Sequence, residues 1–268
     1  MSAEATDAQG SVPRGTCAVC GTVLAGPYCH ACGQASPSAQ RSLGTALTGQ
    51  TGRMLYTLPR LLRPGELAHE LDRGRDRLAV RPLTLLLNLI PLFFLFGGGT
   101  SGFSAHTFLS ADPSGTLMAA VSRMAEKRGV PAPLYEERVE QRFKAVYSVL
   151  VVVQALAYGL GIGVLERRKR KAWLVHVATA IHYLCFNFIV SMLLFLVLRL
   201  VHQAVADHPF AAGAVMVVNA TYMAASLHRV YEDRWALAAG KAALLMAFGF
   251  VVAGILTTAA VSIAVLTA

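Results

Sequence analysis

The chain has 268 residues, of which 55% are apolar and only 15% are charged, and its mean hydropathy is +0.52. Because soluble domains carry about 25% charged residues, this deficit argues against a water-soluble enzyme. The net charge of +9 in so apolar a chain indicates membrane orientation and contact with anionic lipid, so nucleic acid is not an expected partner. The composition predicts an all-α integral membrane protein embedded in a lipid bilayer.

The first 16 residues contain no apolar segment of the kind that secretory signals carry. Their small and polar composition predicts a disordered tail over 1–16. Without a secretory signal, the N-terminal head is expected to stay in the reducing cytoplasm, where cysteine thiolates persist as metal ligands.

Four of the five cysteines lie in two CxxC motifs that are separated by eight residues. They are Cys17, Cys20, Cys29 and Cys32, and paired motifs at this spacing are typical of a metal site. Because four thiolates complete a tetrahedral shell, we expect a structural zinc ion in a ribbon over 17–34, although such a shell also suits iron. The alternative is a redox dithiol pair, which would need a βαβ context that the sequence lacks.

Residues 35–81 connect this ribbon to the first apolar segment. A Ser/Pro/Ala linker precedes an arginine-rich stretch whose apolar residues recur at helical spacing, which predicts an amphipathic helix at the membrane surface. Pro64 and Gly65 are expected to break this helix, and a second short helix over 66–72 is expected to end at Gly74.

The remainder, 82–268, is predicted to be a helical membrane domain with about five transmembrane helices. A bilayer core needs about 20 helical residues, with a range of about 17–25. The basic run ERRKRK at 166–171 and the basic loop 228–241 alternate with loops of balanced charge. The positive-inside rule therefore places the N-terminus in the cytoplasm and the C-terminus outside an inner membrane, with anionic lipid headgroups as an additional partner of 166–171. The five predicted spans are 82–98, 145–165, 172–198, 210–227 and 242–266.

Polar side chains recur on single faces of several predicted spans. One interpretation is interhelical hydrogen bonding, and the other is an intramembrane polar site, because polar groups within a membrane are often functional. No Asp, Glu, Lys or Arg lies in the core of any predicted span, which favours the first interpretation. The candidate residues are His176, His182, Tyr183 and Asn187 in the third span and Asn219 and Tyr222 in the fourth.

The order of motifs along the chain resembles a bacterial family of inner-membrane proteins known as domain of unknown function 3667. The resemblance implies a membrane protein with a cytoplasmic zinc ribbon, and it implies no established activity. The matching positions are Cys17, Cys20, Gly21, Tyr28, Cys29, Cys32, Gly33, Gln34, Leu61, Leu62, Pro64, Gly65, Gly74, Arg75, Pro82, His176, His182, Phe186, Leu227, Arg229, Val230 and Tyr231.

No catalytic constellation is recognised in the sequence. We therefore expect a non-enzymatic, membrane-anchored binding or scaffolding protein whose ribbon docks a cytosolic protein partner. One alternative is a small-solute transporter or channel that uses the polar faces of the helices. A lipid-modifying enzyme with His176 or His182 as a base is less favoured, because the spans offer no matching nucleophile or acid pair.

Overall fold

The computed structural model describes residues 16–17, 20–25, 29–32, 43–74, 79–96, 104–201 and 209–268. The predicted tail up to residue 15 and the linker over 35–40 lie outside the described residues. The chain divides into two compact units, Met1–Tyr56 and Thr57–Ala268, and each is considered by itself. The first contains the cysteine cluster and the start of helix α1, and the second contains the long apolar helices.

The described residues are predominantly helical, as the composition predicts. Nine α-helices and one short 3₁₀ turn are present within the described ranges, together with a single isolated β-bridge. The helices are α1 (Leu43–Leu61), α2 (Glu66–Asp72), α3 (Pro82–Phe96), α4 (Ala105–Ser110), α5 (Thr116–Lys127), α6 (Ala132–Leu165), α7 (Trp173–Val201), α8 (Pro209–Tyr231) and α9 (Trp235–Thr267), with the 3₁₀ turn at Arg167–Lys169.

Three helices are long and apolar enough to cross a membrane, namely α6, α7 over Trp173–Leu194, and α9. They contain the predicted spans 145–165, 172–198 and 242–266 in whole or in part, so the prediction of a helical membrane protein is confirmed. The count of five spans is not confirmed among the described residues. Helix α3 has only 15 residues, and α8 is not among the spanning candidates found in the part of the chain that the structure describes.

The core of the second unit forms where α6 packs against α7 and α9, with α3 and α8 also packed on α7. Aromatic rings fill the interface of the three long helices, and the rings of Tyr158 and Tyr183 lie 5.4 Å apart. Buried Gly249 of α9 admits Tyr158, because a Cβ at this position would overlap the phenol hydroxyl. Small residues at such crossings let helices approach closely, which is the main source of helix association in lipid.

The turn between α1 and α2 packs against α8, which explains the Pro64-Gly65 pair. Gly65 has a φ of 70°, and a Cβ on it would lie 2.9 Å from the carbonyl oxygen of Ser226. The hydroxyl of Tyr222 donates a 2.8 Å hydrogen bond to the carbonyl of Leu61, which the end of α1 leaves unpaired. The predicted break is confirmed, and α2 ends, as expected, just before Gly74 at a φ of 67°.

Candidate functional site

The first CxxC motif forms a tight turn that brings two cysteines together. The amide of Cys17 donates to the carbonyl of Thr22 at 2.8 Å, and the amide of Gly21 donates to the carbonyl of Cys17 at 2.9 Å. Gly21 has a φ of 70°, a conformation that favours glycine. An antiparallel bridge between Thr16 and Val23 closes the turn. This local geometry aims the thiols of Cys17 and Cys20 in one direction.

The four predicted metal ligands form a single cluster of sulfur atoms. The Sγ atoms of Cys17 and Cys32 are 3.4 Å apart, those of Cys20 and Cys29 are 3.5 Å apart, and all four lie within 4.8 Å of one another. Zn–S bonds of about 2.3 Å in a tetrahedron place sulfurs about 3.8 Å apart, so the cluster fits a Cys₄ metal site. No disulfide joins any of the five cysteines, all of which the structure describes.

The cluster is half buried, and one of its thiols, Cys20, favours the thiolate form. Cys17 and Cys29 pack with Leu24 in a small apolar core, whereas Cys20 is exposed. The Cys20 thiol donates to the Thr22 hydroxyl at 3.3 Å, and the hydrogen bonds that the Thr22 hydroxyl and amide give to the thiolate form lower the pKa of Cys20 to about 6. Since metals bind the thiolate, this shift favours metal capture at neutral pH.

Two of the four predicted intramembrane residues on α7 hydrogen-bond to other helices. Nδ1 of His176 lies 2.7 Å from the hydroxyl of Tyr231 on α8, and the two rings are stacked. The hydroxyl of Tyr183 donates to Sδ of Met246 on α9 at 3.0 Å. His182 is buried, and its Nδ1 has no hydrogen-bond partner among the described residues. The two α7 contacts join neighbouring helices, which is the arrangement that the hydrogen-bonding interpretation expects.

The remaining predicted polar residues have separate roles. Tyr222 bonds to α1 and stacks on Phe186 at 3.7 Å between ring centroids. The amide of Asn219 donates to the carbonyl of Val215 in its own helix at 2.9 Å, and Asn187 is half buried. The contacts described for these side chains do not assemble them around one cavity. An intramembrane site centred on them stays a prediction.

A cluster of charged side chains that sequence reasoning missed lies where α6 ends and α9 begins. Nζ of Lys241 lies 2.7 Å from a carboxylate oxygen of Glu166 and 2.6 Å from one of Asp233. Lys169 lies 3.3 Å from the other oxygen of Asp233. The side chains of Glu166 and Asp233 are only 1% and 2% exposed. We call these four residues the charge cluster, which joins α6, the 3₁₀ turn, the α8–α9 turn and α9.

Two tight turns create the charge cluster. The chain reverses after α6 with Arg170 at a φ of 50°, and between α8 and α9 with Glu232 at a φ of 56°. Nδ1 of His228 lies 2.6 Å from the carbonyl oxygen of Asp233 and helps to fix the second turn. One feature of the sequence could have indicated the charge cluster. Lys241 borders an apolar segment, where an unpaired ammonium group would be costly, so a carboxylate partner could be expected.

The charge cluster shifts the pKa values of its two acids in opposite directions. Burial raises the pKa of Glu166 above its ordinary 4.5 and outweighs the opposing effect of Lys241. Burial also acts on Asp233, but the hydrogen bonds of its carboxylate, first of all the one from Lys241, lower the pKa of Asp233 overall. Glu166 is therefore the weaker acid of the two.

This difference predicts a pH dependence of stability. Because the folded protein holds the Glu166 proton more tightly than the unfolded chain does, stability falls as the pH rises above 4.5 through the folded pKa. Glu166→Gln is expected to flatten this fall, as measured by the thermal unfolding midpoint in detergent across the pH range. Glu126→Gln, at an exposed position, is the control and should leave the slope unchanged. Equal slopes in the wild type and Glu166→Gln would contradict the assignment.

Within the second unit, further ion pairs join α2 to Lys171, which precedes α7, and to Arg229 on α8. Nζ of Lys171 lies 2.6 Å from Asp72 at the end of α2, and Arg229 of α8 lies 3.7 Å from Glu66 at its start. The short helix is thereby fixed at both ends, in addition to its buried Leu67.

Comparison with protein-family models, with curated proteins and with solved structures gave no match for this chain. The structure itself defines the class of protein, a helical membrane protein with a cluster of four cysteines that is able to hold a metal ion.

Proposed function

We propose that this chain is a membrane-anchored docking protein whose four-cysteine cluster holds a structural zinc ion and presents a small ribbon to a cytosolic protein partner. One observation carries the proposal: the convergence of the four sulfurs within 4.8 Å on a chain that also carries three apolar helices of spanning length. A shell of four protein ligands leaves no open position for substrate, so the metal stabilises the fold of the ribbon and takes no part in catalysis. The described ribbon buries only a minimal apolar core, Leu24 with Cys17 and Cys29, so its fold depends on the metal.

The proposed topology has five spans in a bacterial inner membrane, with the N-terminus in the cytoplasm. In addition to the three long helices, α3 and α8 would cross the bilayer, as their apolar content suggests. Support comes from the basic residues at 166–171 and 228–241, which carry the orientation signal for the cytoplasmic side. The resemblance to domain of unknown function 3667 proteins is consistent with this arrangement and forms part of the proposal.

The test is recovery of a partner from membranes by cross-linking and affinity capture of the full-length chain. We expect a specific protein to be captured with the wild type and lost with Cys17→Ser/Cys32→Ser, because the ribbon unfolds without its metal. Cys185→Ala is the matched control, since it removes a thiol on α7 outside the cluster.

Two results would count against docking. One is capture that is equal in the wild type and the double cysteine variant. The other is capture that Cys185→Ala abolishes as strongly as the double variant does. Membrane abundance is measured on the same samples, so that a general loss of protein is not mistaken for a loss of docking.

A further inference from the structure

Four exposed arginines lie on the two turns that join the long helices at one end of the second unit. Arg167, Arg168 and Arg170 belong to the turn after α6, and Arg234 belongs to the turn before α9. The two turns are adjacent, because Lys169 on the first contacts Asp233 on the second at 3.3 Å. We call these four residues the arginine surface. None of them makes an ion pair within the part of the chain that the structure describes.

The lysines near the arginine surface are engaged in the protein. Lys169 and Lys241 pair with the buried acids of the charge cluster, and Lys171 pairs with Asp72 at 2.6 Å. The internal acids therefore neutralise lysines and leave the arginines to face outward. Three of the six residues of 166–171, Glu166, Lys169 and Lys171, thus form ion pairs within the chain. The contact with anionic lipid that was expected of the whole run is left to its three arginines.

Two exposed tryptophans show where the arginine surface lies relative to a bilayer. Trp173 begins α7 and Trp235 begins α9, and their exposed fractions are 52% and 57%. Trp235 stacks on His228 with ring centroids 4.2 Å apart. Exposed leucines follow immediately, Leu174 at 60% and Leu237 at 52%. Tryptophan at the start of an apolar helix is typical of the membrane–water interface, with lipid chains beyond it.

We propose that the arginine surface, with Trp173 and Trp235 beneath it, binds the phosphate headgroups of anionic phospholipids in the bilayer. Arginine presents a planar fork of donors that matches phosphate oxygens in pairs, and it stays charged at every physiological pH. Four such side chains on adjacent turns, with no internal acid to pair with, provide a multivalent site at headgroup depth. The proposal is independent of the cysteine cluster and of its docking role.

The charge of the surface alone would also suit a nucleic acid, but its position favours lipid. The arginines lie within a few residues of the starts of α7 and α9, two helices whose length and composition suit a membrane span. A soluble polyanion would have to compete there with headgroups at very high local concentration. Lipid is accordingly the occupant that the geometry points to.

The chain contains only two tryptophans, Trp173 and Trp235, so its indole fluorescence reports on this surface alone. The full-length protein is reconstituted in vesicles of mixed phosphatidylglycerol and phosphatidylcholine, with brominated chains on one lipid or the other. Bromine quenches tryptophan on contact. At low salt we expect brominated phosphatidylglycerol to quench with an apparent binding constant at least about fivefold above that of phosphatidylcholine, which is the effect of about 1 kcal/mol from a single basic residue and so a lower bound for four.

The decisive variant replaces the four arginines of the surface with glutamine. We expect this variant to quench equally with either lipid, and we expect 1 M salt to weaken the wild-type preference through screening. The matched control replaces the exposed Arg123, Arg138 and Arg142, which lie in α5 and α6, with glutamine and should keep the preference.

Three results would overturn the proposal. The first is equal quenching of the wild type by both lipids, and the second is a preference that survives the fourfold replacement. The third is a wild-type protein whose tryptophan fluorescence shows no preference for phosphatidylglycerol but changes when an oligonucleotide is added. That result would assign the surface to nucleic acid. Circular dichroism of each variant confirms that the helices are intact, so that a loss of preference reports on the site.

Discussion

Lys241→Met is expected to lower the free energy of unfolding by about 3–5 kcal/mol, the usual cost of removing one partner of a buried ion pair. The ammonium is shared by Glu166 and Asp233 at 2.7 and 2.6 Å, and both carboxyl groups are almost fully buried. Its loss leaves Asp233 with only the more distant Lys169 and leaves Glu166 without a cation. We expect a thermal unfolding midpoint in detergent lower by about 10 °C.

The control for this prediction is Lys144→Met. Lys144 pairs with Glu140 at 3.2 Å one helical turn away, but both side chains are partly exposed, at 35% and 23%. Such pairs contribute about 0–1 kcal/mol, so the midpoint should move by little.

A triple variant tests whether the lost stability comes from the carboxyl groups that Lys241→Met leaves without their ammonium partner. Lys241→Met combined with Glu166→Leu and Asp233→Asn removes the stranded charges together with the ammonium, and it should recover a large part of the lost stability. If Lys241→Met shifted the midpoint no more than Lys144→Met, the charge cluster would not be a structural element of the helix junction.

Gly249→Ala is expected to destabilise the protein by about 3 kcal/mol, in the upper part of the range for overpacking a core. The added methyl group would overlap the phenol ring of Tyr158, which packs between Tyr183 and Phe248 and has little room to withdraw. The two long helices α6 and α9 would then have to separate. The measurement is again the unfolding midpoint of the purified full-length chain.

Gly254→Ala on the same helix is the control, because no atom lies within 4 Å of the Cβ position there. It should be neutral or slightly stabilising, since alanine favours the helix over glycine. In a Tyr158→Ala background, Gly249→Ala should lose most of its cost, because the methyl group then enters vacated space. A full cost in that background would show that Tyr158 is not the obstacle.

Features of local origin could be predicted from the sequence. The first CxxC motif forms its tight turn through contacts within a few residues, and the repeat of the motif predicted the convergence of four sulfurs. The helix break at Pro64-Gly65 could also be predicted, because it depends on the conformational preferences of these two residues. Hydropathy identified the three longest apolar helices, because length and composition are properties of the segment itself.

Features that depend on distant contacts were not accessible from the sequence. Glu166 and Asp233 were treated as ordinary loop charges, because nothing near them in the chain shows that Lys241 lies between them. His176 was grouped with Tyr183 and Asn187 by helical spacing, but its partner is Tyr231, 55 residues away. Likewise, hydropathy predicted five spans, including 210–227 in α8, whereas three helices of the described residues are long and apolar enough to cross a membrane.

The measurement that tests the central claim most directly is the metal content of the full-length chain extracted from membranes. Elemental mass spectrometry compares the wild type with Cys17→Ser/Cys32→Ser and with Cys185→Ala. The account predicts about one equivalent of zinc per chain in the wild type and in Cys185→Ala, and almost none in the double variant. Absence of metal from the wild type, or equal metal in all three proteins, would contradict a Cys₄ zinc site at the head of this membrane protein.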